Sequence, residues 1–291
     1  MTSVPIPLGV DQMRQPVVVD MAATAGHWII QGQTRSGKSY TTYNVLAEMA
    51  GLECVRVVGV DPSAVILAPW QDSESMISLG QTEDQAEKII EILTEVNDIG
   101  NARTAGLFER RIDKLEQFTP EEPLMVLVLE EFAGMLDFLK RVDAAQGRKP
   151  AERYETRATG LIGSIIAQHA KAGIRVILLT QRAEAAVLGG TARSNLAVRM
   201  TLRHDNSDAV RMLHERIGEE ELRQVERFAP GVAFFESPNH PREIMRNHRN
   251  AGYTAYVEHV LHHEWAKARK LSEQYPHLYE EAMTGEEIED E

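Results

Sequence analysis

The sequence predicts an open α/β fold, a mainly parallel sheet with helices on both faces, and three observations carry that prediction. Strand-like and helix-like segments alternate along most of the chain. One apolar run, residues 124–129, is continuous instead of alternating, as in strands covered on both faces, and a further strand is read at 174–180. Between the apolar run 27–31 and a helix-like stretch lies Gly32-Gln33-Thr34-Arg35-Ser36-Gly37-Lys38-Ser39, which fits the phosphate-cradling pattern G-x-x-x-x-G-K-[ST].

Taken in order, residues 27–31 read as a strand entering that loop and residues 38–49 as the first helix. Residues 55–60 form a β-branched strand that Asp61-Pro62 stops. Across residues 82–116, Ala86, Ile89, Ile90, Ile92, Leu93 and Val96 recur at helical spacing, with a break expected near Gly100 and more helix beyond it. Pro123 precedes the strand 124–129, a helix runs from Phe132 toward Val142, and a polar gap extends to about Arg153. A helix to Lys171 and the strand 174–180 follow. Residues 198–202 and 232–235 read as further strands, with a helix at 208–217 between them. After Gly252, the residues Tyr253, Tyr256, Val257, Val260, Leu261, Trp265 and Ala268 mark an amphipathic helix. His259 and His263 lie four apart on it; with no third ligand evident beyond Glu264 or His262, they read as a solvated or packed face before a metal site.

The 291 residues, 43% hydrophobic and 26% charged, suffice for one large domain or one domain with an appendage. The apolar runs are shorter than a bilayer needs and the N-terminus has no secretory pattern, so neither a membrane span nor export is expected. The single cysteine, Cys54, forms no internal disulfide, and a reducing cytoplasm is the expected location. The net charge of −13 is unevenly placed: Glu280, Glu281, Glu286, Glu287, Glu289, Asp290 and Glu291 form a tail without Lys or Arg, read as solvated and disordered. Positive charge collects instead at Lys140, Arg141, Arg148, Lys149, Arg153 and Arg157, read either as a solvated loop or as a local grip on phosphates.

The chemistry follows from spacing. Glycines let the loop turn its N–H groups toward a β-phosphate, Lys38 sets a point charge between β- and γ-phosphates, and the Ser39 hydroxyl meets Mg²⁺ where the next helix begins. Tyr40 follows directly and joins the nucleotide-binding set of residues 32–40. Glu130 and Glu131 stand at the end of the 124–129 strand, where a metal-side carboxylate and a water-polarising base are needed; helix capping is the plainer alternative. Gln181 stands at the corresponding end of the 174–180 strand, the edge that faces a ligand crevice in an open sheet.

In this order the elements resemble the FtsK/SpoIIIE/HerA class of hexameric DNA-pumping ATPases, especially its short actinobacterial, plasmid-transfer and phage members. The stretches that carry the resemblance are Pro16-Val17-Val18-Val19-Asp20, residues 32–39, Val60-Asp61-Pro62, Leu127-Val128-Leu129-Glu130-Glu131-Phe132-Ala133, residues 172–182 through Thr180-Gln181-Arg182, and Asn195-Leu196-Ala197-Val198-Arg199, spanning residues 9–247. The resemblance implies a P-loop NTPase of the RecA-like, ASCE type. Lys38 would hold phosphate, Ser39 and Glu130 Mg²⁺, Glu131 would activate water, and Gln181 would sense the γ-phosphate. It implies a motor domain over residues 1–250, then the C-terminal helix (251–278) and the acidic tail (279–291). Three departures stand out: Arg35 replaces a residue usually small, Glu130 stands where Asp is commoner, and the arginine expected before Ala172 is Ala170, beside Lys171. Lys171, Arg193 and Arg199 are therefore the candidates for a cation acting on the neighbouring subunit, and Lys140, Arg141, Arg148, Lys149 and Arg153 for DNA contacts.

The expected activity is Mg²⁺-dependent ATP hydrolysis by a homo-hexameric ring that threads duplex DNA, with transfer, replication or capsid proteins as partners. A virion genome-packaging ATPase of the same superfamily is the near alternative. A small-molecule phosphotransferase and a non-hydrolysing ATP-gated scaffold come from other classes.

Overall fold

The computed structural model describes residues 1–23, 26–71, 76–181, 194–248 and 252–276. Its strands are β1 (Pro5–Asp11), β2 (Pro16–Asp20), β3 (Trp28–Gln31), β4 (Val55–Asp61), β5 (Ile77–Leu79), β6 (Leu124–Leu129), β7 (Ile174–Thr180), β8 (Val198–Leu202), β9 (Val232–Ser237) and β10 (His240–Asn247). The described helices are α1 (Lys38–Ala47), α2 (Glu83–Glu109), α3 (Phe132–Ala145), α4 (Tyr154–Gln168), α5 (Ser207–Leu213), α6 (Glu219–Glu226) and α7 (Tyr253–Gln274). All ten strands join one sheet in the order β2-β1-β10-β9-β8-β3-β7-β6-β4-β5. From β8 to β5 every pairing is parallel; from β8 to β2 every pairing is antiparallel.

The continuous apolar run is explained by burial on both faces. Leu124, Val126 and Val128 of β6 point into a core that includes Leu46 of α1 and Val260 of α7, whereas Met125, Leu127 and Leu129 join Ile89, Leu139 and Ile165 of α2, α3 and α4. Helices therefore cover both faces of the parallel half, as the alternation of segments requires. Of the antiparallel half, β9 is read from the sequence as a strand, at 232–235, whereas β1, β2 and β10 are not. β1 carries Pro5, Pro7 and Gly9 and shifts register between Pro7 and Gly9, and β10 is largely polar; at the parallel edge, β5 has only three residues. Gly9 is there for close approach, since a Cβ would fall 2.0 Å from the Arg246 carbonyl oxygen.

Several boundaries differ from expectation. No break occurs at Gly100: α2 runs through it, and the missing side chain makes room for the fully buried His169, whose ring would lie 2.4 Å from an added Cβ. The glycine marks a helix packed against the turn after α4. That helix ends at Gln168, short of Lys171, because the turn must hand the chain to β7. The helix expected at 208–217 stops at Leu213, and α6, which the sequence reading missed, follows. α7 lies within the expected 251–278 but is rotated: Tyr256, Val260 and Leu271 are buried, while Leu261 and Trp265 are 52% and 66% exposed. Its seat is polar as well as apolar, with Glu264 accepting from the Gly51 N–H (2.8 Å) and Lys267 donating to the Val55 carbonyl (3.2 Å). The rings of His259 and His263 lie 4.3 Å apart and tilted, and no group of three metal-binding side chains exists among the described residues. Among those residues no helix is long and apolar enough to cross a membrane. The acidic tail lies outside them.

Candidate active site

Parallel strands bring their carboxyl ends to one edge, and five of them deliver the residues of interest there. β3 runs into residues 32–39, β4 ends at Asp61, β6 is followed by Glu130 and Glu131, β7 by Gln181, and β8 by Arg203. One strand, β7, separates β3 from β6. The loop after β3 closes on α1 through Gly37, which has a φ of 100° and lies so near Gly231 that a Cβ would sit 2.7 Å from its nitrogen. The Gly231 N–H in turn donates to the Ser36 carbonyl at 2.9 Å, and Gln33 N–H donates to the Arg203 carbonyl at 3.0 Å. Arg35, the residue out of pattern, is exposed with a left-handed φ of 64°, and its carbonyl accepts from Arg203 Nη2 at 3.3 Å. Ser39 and Tyr40 are exposed at the start of α1, and Tyr40 leads into the rings of Tyr43 and Tyr256, stacked at 4.7 Å.

The two acidic residues diverge in the way a fraying strand allows. Glu131 has a φ of 42°, which swings its carboxylate back toward the loop: Oε2 lies 3.2 Å from Lys38 Nζ, and Oε1 accepts from the Gln181 N–H at 3.4 Å. The Gln181 side chain accepts from the Thr34 hydroxyl at 3.2 Å. Glu130 is only 9% exposed, and burial raises its carboxyl to about 7, with Asp61 and Glu131 adding to the rise and Lys38 opposing it. Asp61, fully buried, is held by the Ser63 hydroxyl (2.6 Å) and by the backbone N–H groups of Ser63, Val65 and Leu67.

This gives a test. Because the folded value lies above the ordinary 4.5, ionising Glu130 costs stability as pH rises from 4.5 to about 7, a cost of roughly 3 kcal/mol that is absent below that window. Glu130→Gln has no such cost. In metal- and nucleotide-free protein, its stability relative to wild type should climb across that interval and level off above it, as urea unfolding at pH 5 and pH 8 will reveal. A difference constant with pH would contradict the burial argument.

The remaining candidates are dispersed. Lys171 is exposed at the amino end of β7, the edge opposite Lys38. Arg199 has its guanidinium engaged within the chain, by the Leu196 and Leu213 carbonyls at 2.8 Å each and by Glu236 at 3.0 Å. This clamp of β8 onto β9 and α5 competes with reaching a neighbour. Arg193 lies outside the described residues. Of the basic set, Lys140, Arg141, Lys149 and Arg153 are exposed. Arg141 donates to Gln81, just after β5, so this end of α3 shares the edge that carries Lys38. Arg148 instead braces its own loop, 3.6 Å above the Tyr154 ring centroid and bonded to Gln146 at 2.8 Å. Asp143 completes that brace by accepting the first N–H groups of α4 from Tyr154 and Glu155.

The sequence reading missed Arg203, which donates to the Arg35 carbonyl, and His204, Asp205 and Asn206, which with Gln33, Thr34 and Gln181 border a polar cavity of about 430 Å³ beside the loop. The rule that singled out Gln181, position just past a parallel strand, applies equally to the end of β8.

A phosphate-type loop after β3, paired glutamates after β6 and a single intervening strand define a P-loop NTPase of the RecA-like, ASCE type. The chain belongs to the FtsK/SpoIIIE family, which it matches over residues 1–232. It is similar to the DNA translocase FtsK of Treponema pallidum, 24% identical over 231 residues, covering 76% of this chain and 27% of that protein. Similarity to the DNA translocase FtsK of Haemophilus ducreyi is 27% over 281 residues, covering 84% of this chain and 27% of that protein. The chain thus spans 27% of the length of these relatives. Among solved structures, the pCW3 conjugation coupling protein TcpA with ATPγS matches at a TM-score of 0.65 and 16% identity, over 88% of this chain and 70% of that one. ATPases 2 and 3 of EssC from Geobacillus thermodenitrificans match at 0.63 and 16%, over 94% and 50%. At these identities the likeness is one of fold.

Proposed function

We propose that this chain hydrolyses ATP with Mg²⁺ and converts hydrolysis into movement along duplex DNA as a ring of identical subunits, with residues 1–250 as the motor and α7 braced on it. The observation that carries the reading is the 3.2 Å approach of Lys38 and Glu131, two groups of opposite charge brought from separate strands to the mouth of one glycine-built loop. Family membership supplies the kind of work: the relatives are DNA translocases by name.

In this reading the N–H groups of residues 32–39 and Lys38 hold the β- and γ-phosphates, Glu131 takes a proton from the attacking water, and Gln181 orients the terminal phosphate. The donor set suits Mg²⁺: a serine hydroxyl, a carboxylate and phosphate oxygens are hard ligands, and this ion is bound by few protein groups. The buried Glu130 beside Asp61 and Glu131 is an acidic cluster that a cation would relieve. Mg²⁺ would neutralise developing phosphoryl charge. Lys140, Arg141, Lys149 and Arg153 are the proposed contacts to the DNA backbone, which makes binding sequence-tolerant and salt-sensitive. The half-buried free thiol of Cys54 suits a cytoplasmic setting.

The deciding measurement is ATP turnover by the full chain with and without linear duplex DNA, alongside particle imaging for rings. DNA should stimulate turnover, and the stimulation should fade as salt rises. Absence of both DNA binding at low salt and stimulation would defeat the translocase reading while leaving simple hydrolysis standing.

A further inference from the structure

We infer that His204 is a positioning residue that fixes Gln181 between the phosphate-type loop and Glu131. The inference deepens the hydrolysis reading and rests on it. His204 is 2% exposed and both ring nitrogens are committed. Nδ1 accepts the Asn206 N–H at 3.0 Å, which places the ring proton on Nε2, and Nε2 donates to the Gln181 carbonyl oxygen at 2.8 Å. Gln181 is thereby held at three points. Its carbonyl is held by His204, its N–H by Glu131 Oε1 at 3.4 Å, and its side-chain oxygen by the Thr34 hydroxyl at 3.2 Å.

The other side of the imidazole is anchored as firmly. Asn206 accepts the Ala209 N–H with its side chain at 3.1 Å, capping α5, and the adjoining Arg203 carbonyl holds Gln33 of the loop at 3.0 Å. The segment 203–206 therefore touches both the loop and the end of β7, and His204 is the link between them. The bonds of His204 are partly buried, and a hydrogen-bond chain rigidifies what it connects when every member is satisfied. The expected consequence is kinetic, because Gln181 displaced by about 1 Å loses its alignment with the reacting groups while nucleotide binding through residues 32–39 persists.

Two variants separate this from a purely structural cap. His204→Asn offers an acceptor toward the Asn206 N–H but no donor at the position of Nε2; His204→Gln offers an amide donor toward the Gln181 carbonyl. With the full chain, DNA and saturating Mg-ATP, His204→Asn should lower kcat by about 100-fold with KM for ATP unchanged, and His204→Gln should recover most of the loss. Equal losses in both variants, accompanied by lower melting temperatures, would assign His204 to structure alone and overturn the inference. So would a His204→Asn protein that matches wild type. A wild-type protein without turnover would sink the hydrolysis reading and this inference with it, an outcome distinct from the other two.

Discussion

Glu131→Gln should lower ATP turnover by about 10²–10⁴-fold while leaving nucleotide binding intact, the range expected for loss of a general base. Glutamine preserves the shape of the side chain and an oxygen to accept the Gln181 N–H, but it has no basicity toward water. The same substitution removes the charge partner of Lys38, a contact between side chains 11% and 25% exposed. That pair must open to admit a γ-phosphate, so the variant should bind ATP at least as tightly as wild type. Isothermal titration with ATP and Mg²⁺, beside steady-state turnover, checks both halves. Unchanged turnover removes Glu131 from the chemistry, whereas lost binding would mean that the carboxylate supports the loop.

Arg175→Met should destabilise the protein by about 3 kcal/mol, the largest destabilisation anticipated. Arg175 is 2% exposed on β7, and its guanidinium donates to the carbonyls of Met21 (3.0 Å), Ala22 (3.1 Å), Ala170 (2.6 Å) and Ile174 (3.2 Å). Burial lowers its pKa to about 10, which leaves it charged at neutral pH. Methionine fills the space but satisfies none of those oxygens, each costing about 1–3 kcal/mol when dry, while relief of a buried charge offsets part of the loss. Urea unfolding gives the number. A change within about 0.5 kcal/mol, as at an ordinary surface site, would contradict the claim that Arg175 ties the turn before β3 to the turn before β7.

The contrast between these two residues shows what sequence reading reaches. Glu131 stood out because a continuous apolar run ended at a carboxylate pair, a local pattern that chemistry makes rare. Arg175 sits inside such a run and resembles an interruption, since its partners lie 153 and 154 residues away at Ala22 and Met21. The same division separates Gln181 from His204: the first ends a strand that enters the site by its own pattern, while the second follows the strand 198–202, whose place beside β3 and β9 only the pairing reveals. Gly100 shows the converse error, a residue that weakens helices in isolation but here admits a neighbour's ring.

What the sequence determined by itself was local: the glycine-spaced loop, the doubly buried strand 124–129 and the carboxylates after it, because each is encoded by spacing and polarity within a few residues. Only the tertiary structure decided that the antiparallel strands β1, β2, β9 and β10 extend the sheet on the far side of β8, and that α7 turns Trp265 outward. The structure also brings the end of β8 against the loop. These depend on hydrogen bonds and close approaches between residues distant in the chain, where partners and not periodicity set the outcome.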